Sequence, residues 1–225
     1  QIALTNCSST VIATTTTNAG GDYTFSLLPV QLPTPKFCVV QTNVSGYTSV
    51  SGTSGYTRAT DTITISNSGA TSYSNQNFGD ARLNVVLTED GQQTIIAGGV
   101  ADYPHRLTAQ SVLTVTSLGE NSTQQPANAT DAPWQTLLYR DINCNGKVDA
   151  GENLISAGLP LSLKANEQVC LVQRVYAPAN ASMGAQHIGQ LQASFNVSLA
   201  NPTETITGSS IQRQDTTLLG SAGLS

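Results

Sequence analysis

The sequence Trp134-Gln-Thr-Leu-Leu-Tyr-Arg-Asp-Ile-Asn-Cys-Asn-Gly-Lys-Val-Asp-Ala-Gly-Glu-Asn-Leu-Ile-Ser-Ala-Gly-Leu-Pro160 places a polar loop between two short apolar segments. The loop, Asp141–Glu152, matches the calcium-loop pattern D-x-[DN]-x-[DN]-G-x5-E at every constrained position. The preceding segment is short and rich in aromatic and apolar residues, and Gly158 and Pro160 disfavour a helix after the loop. We therefore predict a calcium loop between two β-strands, not the helix–loop–helix of an EF-hand.

The loop offers the oxygen ligands that Ca²⁺ prefers. Five side chains and one backbone carbonyl, that of the lysine, are assigned to the ion, and Gly146 takes the sharp turn. The alternative is a surface turn, rich in Asn, Asp and Gly, that holds no metal. Because no helix pair flanks the loop, we expect a structural ion and not a calcium sensor. The predicted ligands are Asp141, Asn143, Asn145, Lys147, Asp149 and Glu152.

The composition favours an all-β protein. The chain has 225 residues, of which 39% are hydrophobic and only 10% charged, which excludes a charge-rich disordered tail and a coiled coil. β-branched residues with frequent Gly, Asn and Pro predict many short strands joined by turns. The length allows one large or two ordinary domains.

The charge and hydropathy patterns bear on partners and location. The net charge is −5 and no basic patch occurs, so we expect no nucleic-acid partner. No apolar run approaches the length of a membrane span. A chain that opens at Gln1 is typical of a secreted product whose signal peptide has been removed.

The chain divides into two predicted β-sandwich domains, residues 1–79 and 80–225. In the first, Tyr23–Leu27 alternates as a half-buried strand should. In the second, Asp90-Gly91 predicts a hairpin turn and the polar stretch Gly119–Pro133 predicts a long loop. The Thr/Ser-rich stretch Thr207–Ser225 is expected to contact neighbouring copies, with Thr216–Leu219 lying along the edge of a neighbour's sheet. The other principal strands are predicted at Ile2–Thr5, Thr10–Thr14, Phe37–Thr42, Thr62–Ser66, Arg82–Thr88, Thr94–Ala97, Tyr103–Leu107, Ser111–Thr116, Trp134–Arg140, Leu159–Leu163, Gln168–Tyr176, Leu191–Leu199 and Glu204–Thr207.

The four cysteines indicate two disulfides. None lies in a C-x-x-C pair and both histidines are distant in sequence, so zinc is weakly supported. Of three possible pairings we favour Cys7–Cys38 and Cys144–Cys170, because each pair then falls within one predicted domain. Disulfides imply an oxidising compartment, namely the periplasm, the cell surface or the medium. The alternative is four buried thiols in a cytosolic protein.

The first section contains the pattern Thr17-x-x-x-Gly21-x-Tyr23-x-Phe25-x-x-Leu28-Pro29, then Phe37-x-Val39 and Gly46-Tyr47. In this pattern the section resembles the B-type domains of bacterial surface adhesins, the Sdr and collagen-adhesin B modules. The resemblance implies a prealbumin-like β-sandwich. Some members close a Lys–Asn isopeptide bond, which we do not expect here because Lys36 stands beside Pro35 and not on an opening strand. The section begins almost inside its first expected strand, which allows a neighbouring copy to supply one.

Four stretches of the second section share a pattern with a known family: Ala97–His105, Leu138–Gly146, Asn166–Cys170 and Tyr176–Ala179. In these stretches the section resembles a bacterial repeat called domain of unknown function eleven, found in large surface proteins. The resemblance implies an immunoglobulin-like module in a long extracellular protein, without assigned catalysis.

No catalytic motif emerges from the sequence, so we expect no enzymatic activity. There is no G-x-S-x-G and no phosphate loop, and His105 and His187 lack spaced partners, which favours structural roles for both. The leading hypothesis is a structural subunit or stalk segment of an extracellular bacterial fibre, sheath or surface assembly, stiffened by calcium and disulfides and associating with neighbouring copies. The alternative is an adhesin module that binds a glycan or host protein through loops, with an aromatic platform of Tyr47, Tyr56, Tyr73 and Trp134.

Overall fold

The computed structural model of the protein describes residues 1–8, 10–125, 132–200 and 203–220. These residues form β-strands, numbered β1 to β17 in chain order, and three short 3₁₀ helices, which confirms the all-β fold class. No helix in these ranges is long and apolar enough to cross a membrane. The strands are β1 Ile2–Thr5, β2 Val11–Thr15, β3 Lys36–Gln41, β4 Thr48–Gly52, β5 Tyr56–Thr57, β6 Thr62–Ser66, β7 Phe78–Ala81, β8 Val85–Thr88, β9 Gly91–Ile95, β10 Val100–Ala109, β11 Leu113–Gln125, β12 Gln135–Asp141, β13 Leu161–Leu163, β14 Gln168–Tyr176, β15 Gln186–Ala200, β16 Thr203–Ser209 and β17 Arg213–Leu219.

The chain forms two compact units. Unit 1 comprises Gln1–Arg82 together with Ser198–Thr205, and unit 2 comprises Leu83–Val197 and the chain from Ile206. The sequence predicted a boundary between residues 79 and 80, whereas the first segment of unit 1 ends at Arg82. The assignment of 198–205 to unit 1 has no counterpart in the sequence prediction, because it depends on contacts between segments distant in sequence.

Unit 1 is built on a five-stranded sheet of order β2-β1-β3-β6-β5, with a separate two-stranded sheet of β4 and β7. Side chains alternate along these strands, so one face of the larger sheet supplies a core of Ile2, Leu4, Phe37, Val39, Ile63 and Ile65. Tyr23–Leu27 forms no strand, contrary to the prediction. Its alternation is still used, since Tyr23, Phe25 and Leu27 pack against that core.

Unit 2 is a sandwich of a four-stranded sheet, order β12-β14-β10-β8, and a six-stranded sheet, order β13-β11-β15-β17-β9, in which β16 also pairs with β15. Alternate residues of β10 and β14 face inward, and Leu107 and Leu171 have no exposed surface. Trp134, the only tryptophan, packs against this interior.

Three local predictions in unit 2 are wrong. Asp90-Gly91 makes no hairpin, because β8 pairs with β10 while β9 runs parallel to β17 in the other sheet. Gly119–Gln125 belongs to β11, where β15 supplies its pairing partner; residues 126–131 lie outside the described residues. Thr216–Leu219 is not free for a neighbouring copy, because β17 lies between β15 and β9 of its own sheet.

We expect Leu171→Ala to lower the free energy of unfolding of unit 2 by about 2–5 kcal/mol, because it leaves a cavity between the two sheets. The measurement is urea unfolding followed by Trp134 fluorescence, which reports on unit 2. Ile211→Ala is the control: its side chain is 73% exposed, and its effect should stay within about 0.5 kcal/mol. Equal effects of the two substitutions would contradict this packing.

Candidate metal centre

The Asp141–Glu152 loop is anchored at both ends by strand pairing. Asp141 is the last residue of β12 and lies opposite Cys170 of β14. After the loop, Leu154 forms a bridge with Tyr139, and Arg140 N–H donates to the carbonyl of Asn153. The loop therefore leaves the edge strand β12 of the four-stranded sheet and returns beside that same strand.

The two acidic residues at the loop ends accept backbone hydrogen bonds from inside the loop. Asp141, only 3% exposed, accepts from the N–H of Asn145 at 3.2 Å and of Gly146 at 2.8 Å. Glu152 Oε1 accepts from Ile142 N–H at 2.8 Å, and Oε2 from Asp149 N–H at 3.1 Å. Both carboxylates thus close the loop on itself and face its interior.

The middle of the loop completes the same cluster. Asn143 Nδ2 and Asn145 Nδ2 donate to Asp149 Oδ2 at 2.9 Å and 2.6 Å. Their Oδ1 atoms accept from the backbone N–H of Asn145 and of Lys147. Gly146 has a φ of +77°, which a side chain rarely adopts, and a Cβ there would lie 3.3 Å from Pro104 Cβ. Hydrogen bonds therefore join the side chains of Asn143, Asn145 and Asp149, and Lys147 takes part through its N–H, whereas the sequence prediction assigned its carbonyl. Binding of a metal by the loop stays a prediction.

The donor set fits a calcium ion in chemistry. It holds three carboxylates and two amide oxygens, and an oxygen that accepts one N–H keeps a second lone pair for a cation. In the part of the chain that the structure describes, no three His, Cys, Asp or Glu side chains are grouped so that they hold a metal by themselves. A metal in this loop would therefore depend on the amide and backbone oxygens as well.

The disulfides join the pairs Cys7–Cys38 and Cys144–Cys170. These are the two pairs favoured from the sequence. Cys144 lies inside the loop with a φ of +56°, and its partner Cys170 lies directly opposite Asp141. One covalent bond therefore holds the middle of the loop against the strand that already pairs with its first residue.

A second polar centre, which the sequence did not reveal, lies in the core of unit 2. His105 Nε2 lies 2.7 Å from Asp215 Oδ2, and Nδ1 lies 2.7 Å from the carbonyl of Thr88. Both side chains of the His105–Asp215 pair have no exposed surface. The Thr88 carbonyl can only accept a hydrogen bond, so Nδ1 carries hydrogen, and the Asp215 carboxylate beside Nε2 favours the cationic form of the ring. No ring atom is left for a substrate, in keeping with the structural role expected for His105.

Comparisons with known proteins give no family assignment. No family model matches the chain, and no curated protein matches it. Solved structures similar to the chain include AvmM, which catalyses macrocyclization in alchivemycin A biosynthesis; it is 12% identical with a TM-score of 0.36, and the match covers 65% of this chain and 94% of that one. The ASH/PapD-like domain of human CEP192 (PapD-like domain 7) is 11% identical with a TM-score of 0.30, and the match covers 63% of this chain and 88% of that one. A family 123 glycoside hydrolase from Clostridium perfringens is 11% identical with a TM-score of 0.28, and the match covers 57% of this chain and 22% of that one. At these TM-scores none of them bears on fold or function.

We expect the Asp149 carboxyl to titrate below its ordinary range in calcium-free buffer. Hydrogen bonds from Asn143 and then Asn145 lower the pKa of Asp149 by stabilising the ionised form. Their contribution to stability is present above the ordinary pKa and is lost as the pH falls through the lowered one. Asn143→Ala should raise the Asp149 pKa, whereas Asn121→Ala should not; NMR titration of the carboxyl carbon measures both. An unchanged pKa in Asn143→Ala would contradict the cluster.

The His105–Asp215 pair predicts the opposite pH dependence. Burial lowers the pKa of His105, but the hydrogen bond and charge of Asp215 outweigh burial and raise it. The stabilisation is therefore full below the ordinary histidine pKa and disappears as the pH rises through the raised one. The difference in unfolding free energy between wild type and His105→Asn should be largest below the ordinary histidine pKa, about 6.5, and shrink as the pH rises above it. A difference that does not change with pH would show that the ring is neutral.

Proposed function

We propose that this chain is a non-enzymatic structural segment of an extracellular bacterial fibre, sheath or surface stalk, in which the Asp141–Glu152 loop binds a structural Ca²⁺. The observation that carries the proposal is the hydrogen bonding inside that loop. Asp141 and Glu152 accept from backbone N–H groups of the loop, and Cys144–Cys170 ties the loop to β14. The sequence resemblance to surface-adhesin B modules and to the bacterial repeat supports the same assignment.

A structural role for the ion follows from where the loop is attached. The loop leaves β12 and returns to it, and both ends are held by the four-stranded sheet. An ion held by Asp141, Asn143, Asn145, Asp149 and Glu152, with a carbonyl from Lys147, would fix this one excursion. There is no pair of helices at the loop to open or close, so binding would stabilise and not switch.

The disulfides support a location outside the cytosol. Each unit contains one bridge, and no cysteine among the described residues is free. Such bonds persist in oxidising compartments.

We expect excess Ca²⁺ to raise the melting temperature of the chain relative to a chelator. A ligand at 100 times its dissociation constant that binds only the folded state contributes about 2.7 kcal/mol, which corresponds to roughly 5–10 °C for a chain of this size. Differential scanning calorimetry with intact disulfides measures the shift. Asp141→Asn and Glu152→Gln should abolish it.

Glu89→Gln is the matched control, because it removes an exposed carboxylate of the same unit outside the loop. It should keep the full calcium shift. An unshifted wild-type melt, together with elemental analysis that finds no bound calcium, would refute the metal site and leave the loop as a surface turn.

Self-association is tested by imaging the full chain with and without calcium. Deleting Thr207–Ser225 is unsuitable for this purpose, since it removes β17 from the interior of a sheet. Filaments or rods of regular width would support the fibre assignment. A protein that stays monomeric at high concentration in both conditions would favour a single-copy stalk segment or the adhesin described next.

A cavity in unit 1 favours the alternative, an adhesin module for a glycan or host protein. Its volume is about 700 Å³, and Tyr23, Phe25 and Tyr73 line it beside polar groups of Asn75 and Asn77. The aromatic platform predicted from the sequence is not formed as one cluster. Tyr56 and Tyr73 pack on the core of unit 1 and Tyr47 lies against Arg82, whereas Trp134 packs inside unit 2. Saturable binding on a glycan array would favour the adhesin over the scaffold.

A further inference from the structure

The Asp141–Glu152 loop contains an asparagine that is followed directly by a glycine, Asn145-Gly146. The backbone nitrogen after an asparagine can close a succinimide ring on the side-chain carbonyl carbon. A glycine nitrogen hinders this reaction least, because glycine has no Cβ. Ring closure needs an acceptor for the proton of that nitrogen, a polarised carbonyl group and, afterwards, access of water. The loop supplies each of these.

The attacking atom is the backbone nitrogen of Gly146. Its N–H donates to Asp141 Oδ2 at 2.8 Å, so a carboxylate is in place to receive the proton as the nitrogen attacks. Asp141 is only 3% exposed, and its other oxygen accepts the N–H of Asn145 at 3.2 Å. The carboxylate is therefore held in a fixed position beside the atom that must lose its proton.

The amide group of Asn145 is held at both of its polar atoms. Oδ1 accepts the N–H of Lys147 at 2.8 Å, and Nδ2 donates to Asp149 Oδ2 at 2.6 Å. The Lys147 N–H stabilises the negative charge that develops on Oδ1 when the carbonyl carbon is attacked. The two hydrogen bonds also restrict rotation of the amide, which reduces the entropy lost on ring closure.

The backbone on both sides of Asn145 is constrained as well. Cys144 is bonded to Cys170 of β14, and Gly146 has a φ of +77°, which residues other than glycine rarely adopt. Asn145 itself is exposed, so water can reach the ring after it has closed. The loop thus fixes the reacting groups and leaves them open to solvent.

We propose that Asn145 is a site of intramolecular deamidation, at which the loop converts its own neutral amide into a carboxylate. Gly146 N attacks Cγ of Asn145, and its proton passes to the Asp141 carboxylate. The Cγ–Nδ2 bond then breaks, Nδ2 takes up that proton, and ammonia leaves a succinimide behind. Water opens the ring and returns a proton to Gly146 N. The product is an aspartate or an isoaspartate in place of Asn145, for one water consumed and one ammonia released.

The consequence for calcium rests on the proposed function. An aspartate product adds a fourth carboxylate to the predicted ligands, at a position where the calcium-loop pattern accepts either Asp or Asn. The number of charged ligands tunes the affinity of such loops, so this product should bind Ca²⁺ more tightly. An isoaspartate product lengthens the backbone inside the loop by one methylene group, so it should bind Ca²⁺ more weakly.

The test is peptide mapping by mass spectrometry of the full-length, oxidised protein after incubation with a chelator in neutral buffer enriched in heavy-oxygen water. We expect the peptide that contains Asn145 to take up one heavy oxygen as it loses ammonia. The reference is the same chain, reduced and unfolded in guanidinium, which keeps the Asn-Gly sequence without the hydrogen bonds of the loop. The folded chain should deamidate at least about tenfold faster, because unfolding removes the proton acceptor and the fixed orientation.

Two controls are built into the same loop and unit. Asn143 Oδ1 also accepts an N–H from two residues further on, but the next nitrogen belongs to Cys144 and is hindered by its side chain, so Asn143 should stay an amide. Asp141→Asn still offers an oxygen to the Gly146 N–H but is a far weaker proton acceptor, and should slow the reaction to the rate of the unfolded chain. Glu89→Gln, which removes an exposed carboxylate outside the loop, should leave the rate unchanged.

An Asn145 that deamidates no faster in the folded wild type than in the unfolded chain would overturn the proposal, since the loop would then contribute nothing or protect the amide. This comparison decides the question even if a variant fails to fold. Calcium titration of the modified and unmodified fractions, separated by ion exchange, tests the consequence independently. If neither fraction binds calcium, the proposed metal site fails while the deamidation stands, because the oxygen label reports on it without calcium.

Discussion

The pairing of β14 with both β10 and β12 is the constraint on which unit 2 depends. Gln168–Tyr176 forms an unbroken antiparallel ladder with Val100–Thr108 on one side, and Cys170–Tyr176 does so with Gln135–Asp141 on the other. This register brings Cys170 opposite Asp141, where it can bond Cys144 of the loop. The same register directs Gln173 into the core. A shift of one residue would send each of these side chains to the other face of the sheet.

The strands that the sequence predicted best are those whose burial alternates or is nearly complete over their whole length. Thr62–Ser66 and Gln168–Tyr176 were expected with the bounds that the structure has, because their apolar residues and flanking turns mark both ends. Gly119–Gln125 was missed because it is polar and owes its strand conformation to pairing with β15. Tyr23–Leu27 is the opposite case. Its alternating apolar side chains pack on the core, as the sequence predicted, but its backbone pairs with no strand.

The candidate metal loop could be found from sequence because its predicted ligands are close together along the chain. The side chains of Asn143, Asn145 and Asp149, chosen by spacing alone, are joined by hydrogen bonds in the structure. The buried polar centre could not be found in this way. His105 and Asp215 are 110 residues apart, and the link between them exists only because the two sheets face each other.

We propose that strand pairing and the Cys144–Cys170 bond prearrange the Asp141–Glu152 loop for calcium. Isothermal titration calorimetry of the oxidised protein and of a Cys144→Ser/Cys170→Ser variant is the decisive measurement. We expect one calcium per chain in the oxidised protein and weaker binding in the variant, since the variant must lose the entropy of the disordered loop when the ion binds. Absence of binding by calcium-stripped oxidised protein, or equal affinity in the two proteins, would contradict it.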